Sequence, residues 1–387
     1  MTAAMRRRVL VCTDGVSWMA IGESIPETMK AVVLTGHGGM EKLEFHQRWQ
    51  TPVPSADEVL VKVHACGLNN TDVNTRSGWY SKQVTEATSG TGHASVGEDD
   101  PTWGAAPISF PRIQGADMVG AVVHVGANVE SAWIGKRVMN DGWIRDWKDP
   151  ESLHGVGFFG SEKDGGFAEY TVVHHKQIMA VDSSLSSAEL ATFSCSYTTA
   201  ENLLGRVHCG PEDSVLITGA SGGVGSAVVQ LANRLGAQTI ALASRAKHKA
   251  LGELGPDVIL DRSPEDLAGD LKRTTGRDTV SVVVDVVGGD YFPKLLDVLD
   301  RGGRYGTSGA IAGPIVSLDL RTLYLRDLSF YGSTVTDLDV FPRLVGYIER
   351  GEIRPLLAAA YPLAEFHAAQ EAFMSKQHIG NIVVTMD

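Results

Sequence analysis

From residue 29 onward the apolar residues arrive in short runs. Residues 30–35 read Lys-Ala-Val-Val-Leu-Thr, and residues 58–65 read Glu-Val-Leu-Val-Lys-Val-His-Ala, the second alternating with a period of two. Alternation of that kind is the signature of a half-buried strand. Residues 118–125 and 167–173 add further strands, and Pro, Gly and Asp punctuate the set, so residues 29–180 predict a β-rich domain. Past residue 183 the texture changes. Short strand-like segments at 214–218, 238–243, 258–260, 280–285, 304–307 and 328–331, the first of them β-branched, alternate with stretches of helical periodicity. This pattern predicts an α/β domain built on a doubly wound parallel sheet over 181–339. A helix at 340–349, a helical pattern around 364–374 and a strand at 381–385 form a tail expected to return to the first domain, giving it residues 29–180 and 340–387. Residues 1–28 are expected to be a disordered extension. Arg6-Arg7-Arg8 and the apolar residues 9–12 resemble the start of a secretory leader, but Asp14 breaks the apolar part too early.

Two irregular stretches interrupt the first domain. Residues 81–111 are rich in Gly, Ser, Thr and Pro, and residues 141–166 carry Trp143, Trp147, Phe158 and Phe159. Loops of this length are more often functional or disordered than decorative, and the aromatics favour a cover over a substrate; a surface insertion packing on itself is the alternative.

The segment with most chemical content is Gly219-Ala220-Ser221-Gly222-Gly223-Val224-Gly225. It follows the run Ser-Val-Leu-Ile-Thr and opens a stretch in which Val224, Ala227, Val228, Leu231, Ala232 and Leu235 recur at spacings of three and four. Strand, glycine turn and helix together set backbone N–H groups and a helix N-terminus against a pyrophosphate. Ala220, Ser221, Gly222, Gly223, Val224 and Gly225 are therefore the candidate cradle, with Ala220 standing where the first glycine of the dinucleotide fingerprint usually sits. The next strand ends at Ser244-Arg245, with Lys247 close behind and no acid among them. A carboxylate there takes the ribose hydroxyls of NAD; a hydroxyl with cations suits the 2′-phosphate of NADP. Ser244, Arg245 and Lys247 thus point to NADP(H).

Composition narrows the classes. The 387 residues carry a formal net charge of −12 with no basic stripe, which argues against a nucleic-acid binder. No apolar run reaches membrane-spanning length, so no membrane partner is expected. The four cysteines, Cys12, Cys66, Cys195 and Cys209, are scattered without a Cys-x-x-Cys pair, which indicates neither a zinc knuckle nor a disulfide framework and makes a reduced, cytoplasmic setting the expectation.

Several segments together resemble the medium-chain dehydrogenase/reductase superfamily over residues 29–387. They are Met29-Lys30-Ala31-Val32-Val33, Ala65-Cys66-Gly67-Leu68-Asn69-Asn70-Thr71-Asp72, Arg76-Ser77-Gly78, Gly135-Lys136-Arg137-Val138, Gly165-Gly166-Phe167-Ala168-Glu169-Tyr170 and the glycine turn. The resemblance implies a GroES-like β-rich catalytic domain, a Rossmann domain, an active site in the cleft between them, and a homodimer or homotetramer. The zinc enzymes of the superfamily look like Gly-x-Cys-x-Thr/Ser-Asp, then Gly-His-Glu, then a later Cys or Asp. Here those positions hold Asn69, Ala116-Asp117 and Cys195. One thiolate cannot make a site that needs three protein ligands, so no metal is expected. The zinc-free branch it resembles, of quinone oxidoreductases and NADPH-dependent enone reductases, keeps Asn and Tyr at the positions of Asn69 and Tyr80, but commonly has a second Tyr where this chain has Asn74.

With no metal, the protein supplies position and electrostatics while NADPH supplies the hydride. Asn69 offers an amide N–H to the enolate oxygen, Tyr80 a phenol as proton donor, and Thr71 a hydroxyl that orients either partner. His64 and His93 are alternative acids, and Asp285 sits at the carboxyl edge of the sheet, where it either meets a ligand or caps the following helix. The expected function is zinc-independent reduction of a conjugated C=C bond or a quinone as small-molecule substrate. Two rivals stay open: an alcohol dehydrogenase acting on a carbonyl, and a non-catalytic NADPH-binding sensor.

Overall fold

The structure is a computed structural model that describes residues 10–11, 17–18, 24–89, 91–93, 96–97 and 107–386. The extension at 1–28 lies largely outside these residues. Within it, Leu10–Val11 pairs antiparallel with Ser17–Trp18, and ordered packing begins before Met29, because Ile25 packs on the first domain's core.

The β-rich domain opens with β1 (Thr28–Leu34) and β2 (Leu43–Gln50), an antiparallel pair to which the short strand Arg112–Ile113 adds. The main sheet contains β3 (Glu58–Gly67), β4 (Asp117–Val125), β5 (Arg137–Asn140), β6 (Tyr170–His174) and β7 (Ile178–Ala180). Both β4 and β6 pair with β3, and its alternating side chains enter two apolar clusters, Leu60 and Cys66 in one and Val59, Val61 and Val63 in the other. After β3 the chain turns directly into α1 (Asn70–Ser77), which ends at Gly78. Gly78 has φ of 76°, a left-handed conformation that a Cβ disfavours.

The α/β domain begins with α2 (Ser194–Arg206). Its sheet consists of β8 (Ser214–Ile217), β9 (Gln238–Ala243), β10 (Val258–Asp261), β11 (Val280–Asp285), β12 (Leu299–Thr307) and β13 (Ser329–Gly332). All are parallel, in the order β10-β9-β8-β11-β12-β13. The order reverses direction at β8, and crevices at such a switch point are where doubly wound folds bind ligands. Helix α3 (Gly223–Leu235) leaves the glycine turn there. Val215, Leu216 and Ile217 are fully buried between layers of helices, so truncating Ile217 to alanine is expected to cost about 2–5 kcal/mol.

The tail divides. Helix α4 (Val340–Glu349), expected with the first domain, packs against α2, because Phe341, Leu344, Val345 and Ile348 present an apolar stripe that matches that helix. Strand β14 (Leu357–Pro362), helix α5 (Phe366–Met374) and strand β15 (Asn381–Thr385) go back to the β-rich domain, where β15 pairs with β3. Phe366 of α5 seats edge-on against Phe167 at 4.7 Å between ring centres. No helix among the described residues is long and apolar enough to cross a membrane.

Candidate active site

A cavity of about 320 Å³ lies between the two domains. Its wall is assembled from the β3–α1 junction (Asn69, Thr71), Trp79 and Tyr80 past α1, the start of β4 (Asp117), the aromatic pair Trp143 and Phe158, the start of α2 (Cys195), the glycine turn, and Phe373 and Asn381 of the tail. Candidate residues distant in sequence thus meet at the switch point.

On the α/β side, Gly222, Gly223, Val224 and Gly225 line the cavity, while Ala220 is wholly buried behind the turn. Ser221 is not in the wall either; its carbonyl accepts from the Gly380 amide at 3.1 Å, which straps the tail to the turn. The glycines are needed for close packing as well as for ligand approach. A Cβ at Gly225 would collide with the Gly219 carbonyl, and one at Gly223 with Ser196 Oγ and Asn381 Oδ1, whereas at Gly222 it would meet nothing closer than 3.5 Å. Gly222 is thus the open face of the cradle, at the N-terminus of α3. The residues present fit a dinucleotide.

Ser244, Arg245 and Lys247 follow β9 outside the cavity wall, where the far ribose of a dinucleotide lies. Their surroundings are not those that sequence spacing suggested. Arg245, 85% exposed at its side chain, donates from Nε to Asp261 Oδ2 at 3.0 Å, so an acid does stand close by, brought in from the end of β10. Lys247 Nζ donates to the carbonyls of Lys376 and His378, both at 2.7 Å. Its ammonium ties the tail down with two of its N–H donors.

On the β-rich side, Asn69 is the N-cap of α1, with extended backbone. Its amide N–H donates to Asp72 Oδ2 at 2.8 Å, and its side-chain Nδ2 donates to Asp117 Oδ2 at 3.0 Å. Asp117 Oδ1 in turn accepts from the backbone N–H of Cys195 at 2.7 Å. Burial pushes both carboxyl groups, Asp72 and Asp117, up to about 7. The Cys195 thiol is driven up by burial and by the negative charge of Asp117, which keeps it a neutral SH. Tyr80 donates from its hydroxyl to Thr71 Oγ1 at 3.3 Å, and burial raises its phenol, so it enters chemistry as a neutral donor. Trp143 and Phe158, 4.9 Å apart edge to face, form an apolar wall with Ala116 and Cys195.

The other candidates are elsewhere. His93 donates from its backbone to Ser77 and lies outside the wall; His64 faces Ser187 Oγ at 3.3 Å. Asp285 is fully buried and accepts from Thr218, Tyr305 and the Val287 amide, which fixes the turn after β11. Asp117, Phe373 and Asn381 escaped recognition as wall residues. For Asp117 a signal existed: it is a lone acid heading the apolar run Met-Val-Gly-Ala-Val-Val. Phe373 and Asn381 reach the cavity only through the return of the tail.

The donor set does not fit zinc. Asn69 and Ala116 offer no thiolate or imidazole, both oxygens of Asp117 are engaged, and among the described residues no group of three or more His, Cys, Asp or Glu could hold a metal ion.

Comparison with known proteins agrees with this architecture. The alcohol dehydrogenase GroES-like domain model matches residues 55–183, and the zinc-binding dehydrogenase model matches residues 223–350. A Sinorhizobium meliloti 1021 protein solved as a candidate alcohol dehydrogenase is 45% identical, covers 94% of this chain and 98% of its own, and superposes with a TM-score of 0.85. The chloroplastic NADPH-dependent alkenal/one oxidoreductase of Arabidopsis thaliana is 28% identical over 93% of this chain and 80% of its own length. The human quinone oxidoreductase is 25% identical over 91% of this chain and 95% of its own.

Proposed function

The chain belongs to the medium-chain dehydrogenase/reductase superfamily of oxidoreductases, and on that footing we propose that it is an NADPH-dependent, zinc-independent reductase of conjugated C=C bonds or quinones. The observation that carries the reading is the cavity wall, which sets neutral hydrogen-bond donors, Asn69 and the Tyr80–Thr71 pair, opposite the glycine cradle without a ligand set for zinc. Relatives named for alkenal/one and quinone reduction support it.

Gly222, Gly223, Val224 and Gly225 would hold NADPH, which would supply the hydride for the β-carbon of an enone. Negative charge then develops on the carbonyl oxygen, and an amide N–H of Asn69 aimed at it stabilises the enolate. Tyr80, oriented by Thr71, donates the proton that completes the product. Trp143 and Phe158 exclude water from the reacting atoms. For the cofactor, Ser244 and Arg245 favour the 2′-phosphate: the pair with Asp261 uses only one of the donors of the guanidinium. Fluorescence titration tests this part. NADPH is expected to bind at least ~10-fold more tightly than NADH, and Arg245→Ala to remove most of the difference. Equal affinity for the two dinucleotides would refute the phosphate assignment. An NADPH-oxidation panel of enones, quinones and saturated ketones tests the reaction; turnover of saturated ketones alone would favour the alcohol dehydrogenase reading.

A further inference from the structure

Asp117 is 1% exposed and lines the cavity, yet no step above employs it. It joins three elements. It begins β4, lies opposite Gly67 of β3 across the sheet, and receives the backbone N–H of Cys195 in the first turn of α2. Its second oxygen receives one of the two side-chain N–H bonds of Asn69. An amide has a donor end and an acceptor end, and which end faces the cavity is settled by what the other side meets. A carboxylate accepts only, so it draws Nδ2 toward itself and fixes the plane of the amide. The second N–H on that same nitrogen is then held at the wall.

We infer that Asp117 is a positioning residue for the reaction: its carboxylate locks the Asn69 amide with the nitrogen toward Asp117 and the cavity, so that an N–H and not the carbonyl oxygen meets the developing enolate. The inference rests on the enolate-stabilising role proposed above for Asn69. Its consequence is a dependence on the ionisation of Asp117. The neutral acid carries an O–H, which pairs with Asn69 Oδ1 and inverts the amide, presenting an acceptor where charge builds. The groups facing Asp117 are Asp72 in the first turn of α1, Cys66 of β3 and Cys195 of α2, with Tyr80 across the cavity. Cys66, Cys195 and Tyr80 are all raised by burial and stay neutral near pH 7, and Asp117 bears on Asp72 as a like charge. Hydride transfer should therefore speed up as pH rises through about 7, where Asp117 loses its proton. A carboxyl acting as the proton donor predicts the opposite slope.

Single-turnover NADPH oxidation by the full chain, with an enone, distinguishes the cases. Asp117→Asn keeps an oxygen for the Cys195 amide but brings a donor to Asn69, which inverts the pairing. It is expected to slow hydride transfer at least ~10-fold, to flatten the pH profile, and to leave NADPH affinity unchanged. Asn69→Ala is expected to lose about 10²-fold, and the double variant to be no slower than Asn69→Ala, because the two act as one unit. The wild-type pH profile, rising and not falling through neutrality, tests the same point without any substitution. An Asn69→Ala loss with an unaffected Asp117→Asn overturns the positioning role and leaves Asn69 in place. Additive losses, or a wild-type rate that falls through pH 7, also overturn it. An unaffected Asn69→Ala removes Asn69 from the chemistry and the proposal with it.

Discussion

Tyr80 donates to Thr71 at 3.3 Å, long for a hydroxyl bond, so the phenol is oriented without being spent. Its raised pKa means that it delivers a proton only to a strongly basic partner such as an enolate carbon. Tyr80→Phe is expected to lower kcat about tenfold with little change in NADPH affinity, water replacing the phenol in part. Stopped-flow traces check this, since hydride transfer should keep its rate while the later protonation slows; an unchanged steady-state kcat would place the donor elsewhere. At this scale sequence reading reached Asn69, Thr71 and Tyr80 because they flank a recognisable strand-to-helix junction. It missed the partners. Asp261 beside Arg245 and the carbonyls around Lys247 come from other strands and from the tail, and spacing along one segment carries no information about them.

The two long loops gain meaning as elements that span the cleft. Thr88, in the first, donates its backbone N–H to the Ile311 carbonyl at 3.0 Å, and Arg145, in the second, donates to the Thr336 carbonyl at 2.5 Å. Each of these bonds joins the β-rich domain to the α/β domain. Thr88→Pro removes the first donor without changing the wall. One hydrogen bond of this kind is worth about 0.5–1.5 kcal/mol, so KM for the enone is expected to rise roughly 2- to 10-fold while NADPH affinity holds. Steady-state kinetics with an unchanged KM would reduce the contact to surface packing. Strands and helices were legible because their periodicity is local, and the parallel sheet followed from their alternation. The loop contacts were not, because a segment without periodicity gives no register. Helix α4 was misplaced for a related reason: its apolar stripe shows that it packs, but not on which domain.

For the whole molecule, β13 is the outer strand of the parallel sheet, and its Ser-Phe-Tyr-Gly sequence has no lysine or proline to block further pairing. In the segment that precedes it in the chain, Ile315, Leu320, Tyr324 and Leu325 are exposed, Ile315 by 67% and Leu320 by 65%. An open strand edge flanked by an apolar face suits a second copy related by a two-fold axis. The expected state is a homodimer, and Leu320→Glu with Tyr324→Glu is expected to shift it to monomer by light scattering. A wild-type chain that elutes as a monomer at tens of micromolar would remove this expectation.

In the proposed reaction the chain's own donors, with no metal, direct a hydride to an activated double bond. The most direct test gives chelator-treated protein, shown to be free of zinc by elemental analysis, NADPH deuterated at the transferable position together with an enone. One deuterium is expected on the β-carbon of a saturated ketone, at the same rate as untreated protein. Deuterium on the carbonyl carbon of an allylic alcohol, or a rate that falls with the chelator and returns with zinc, would contradict it.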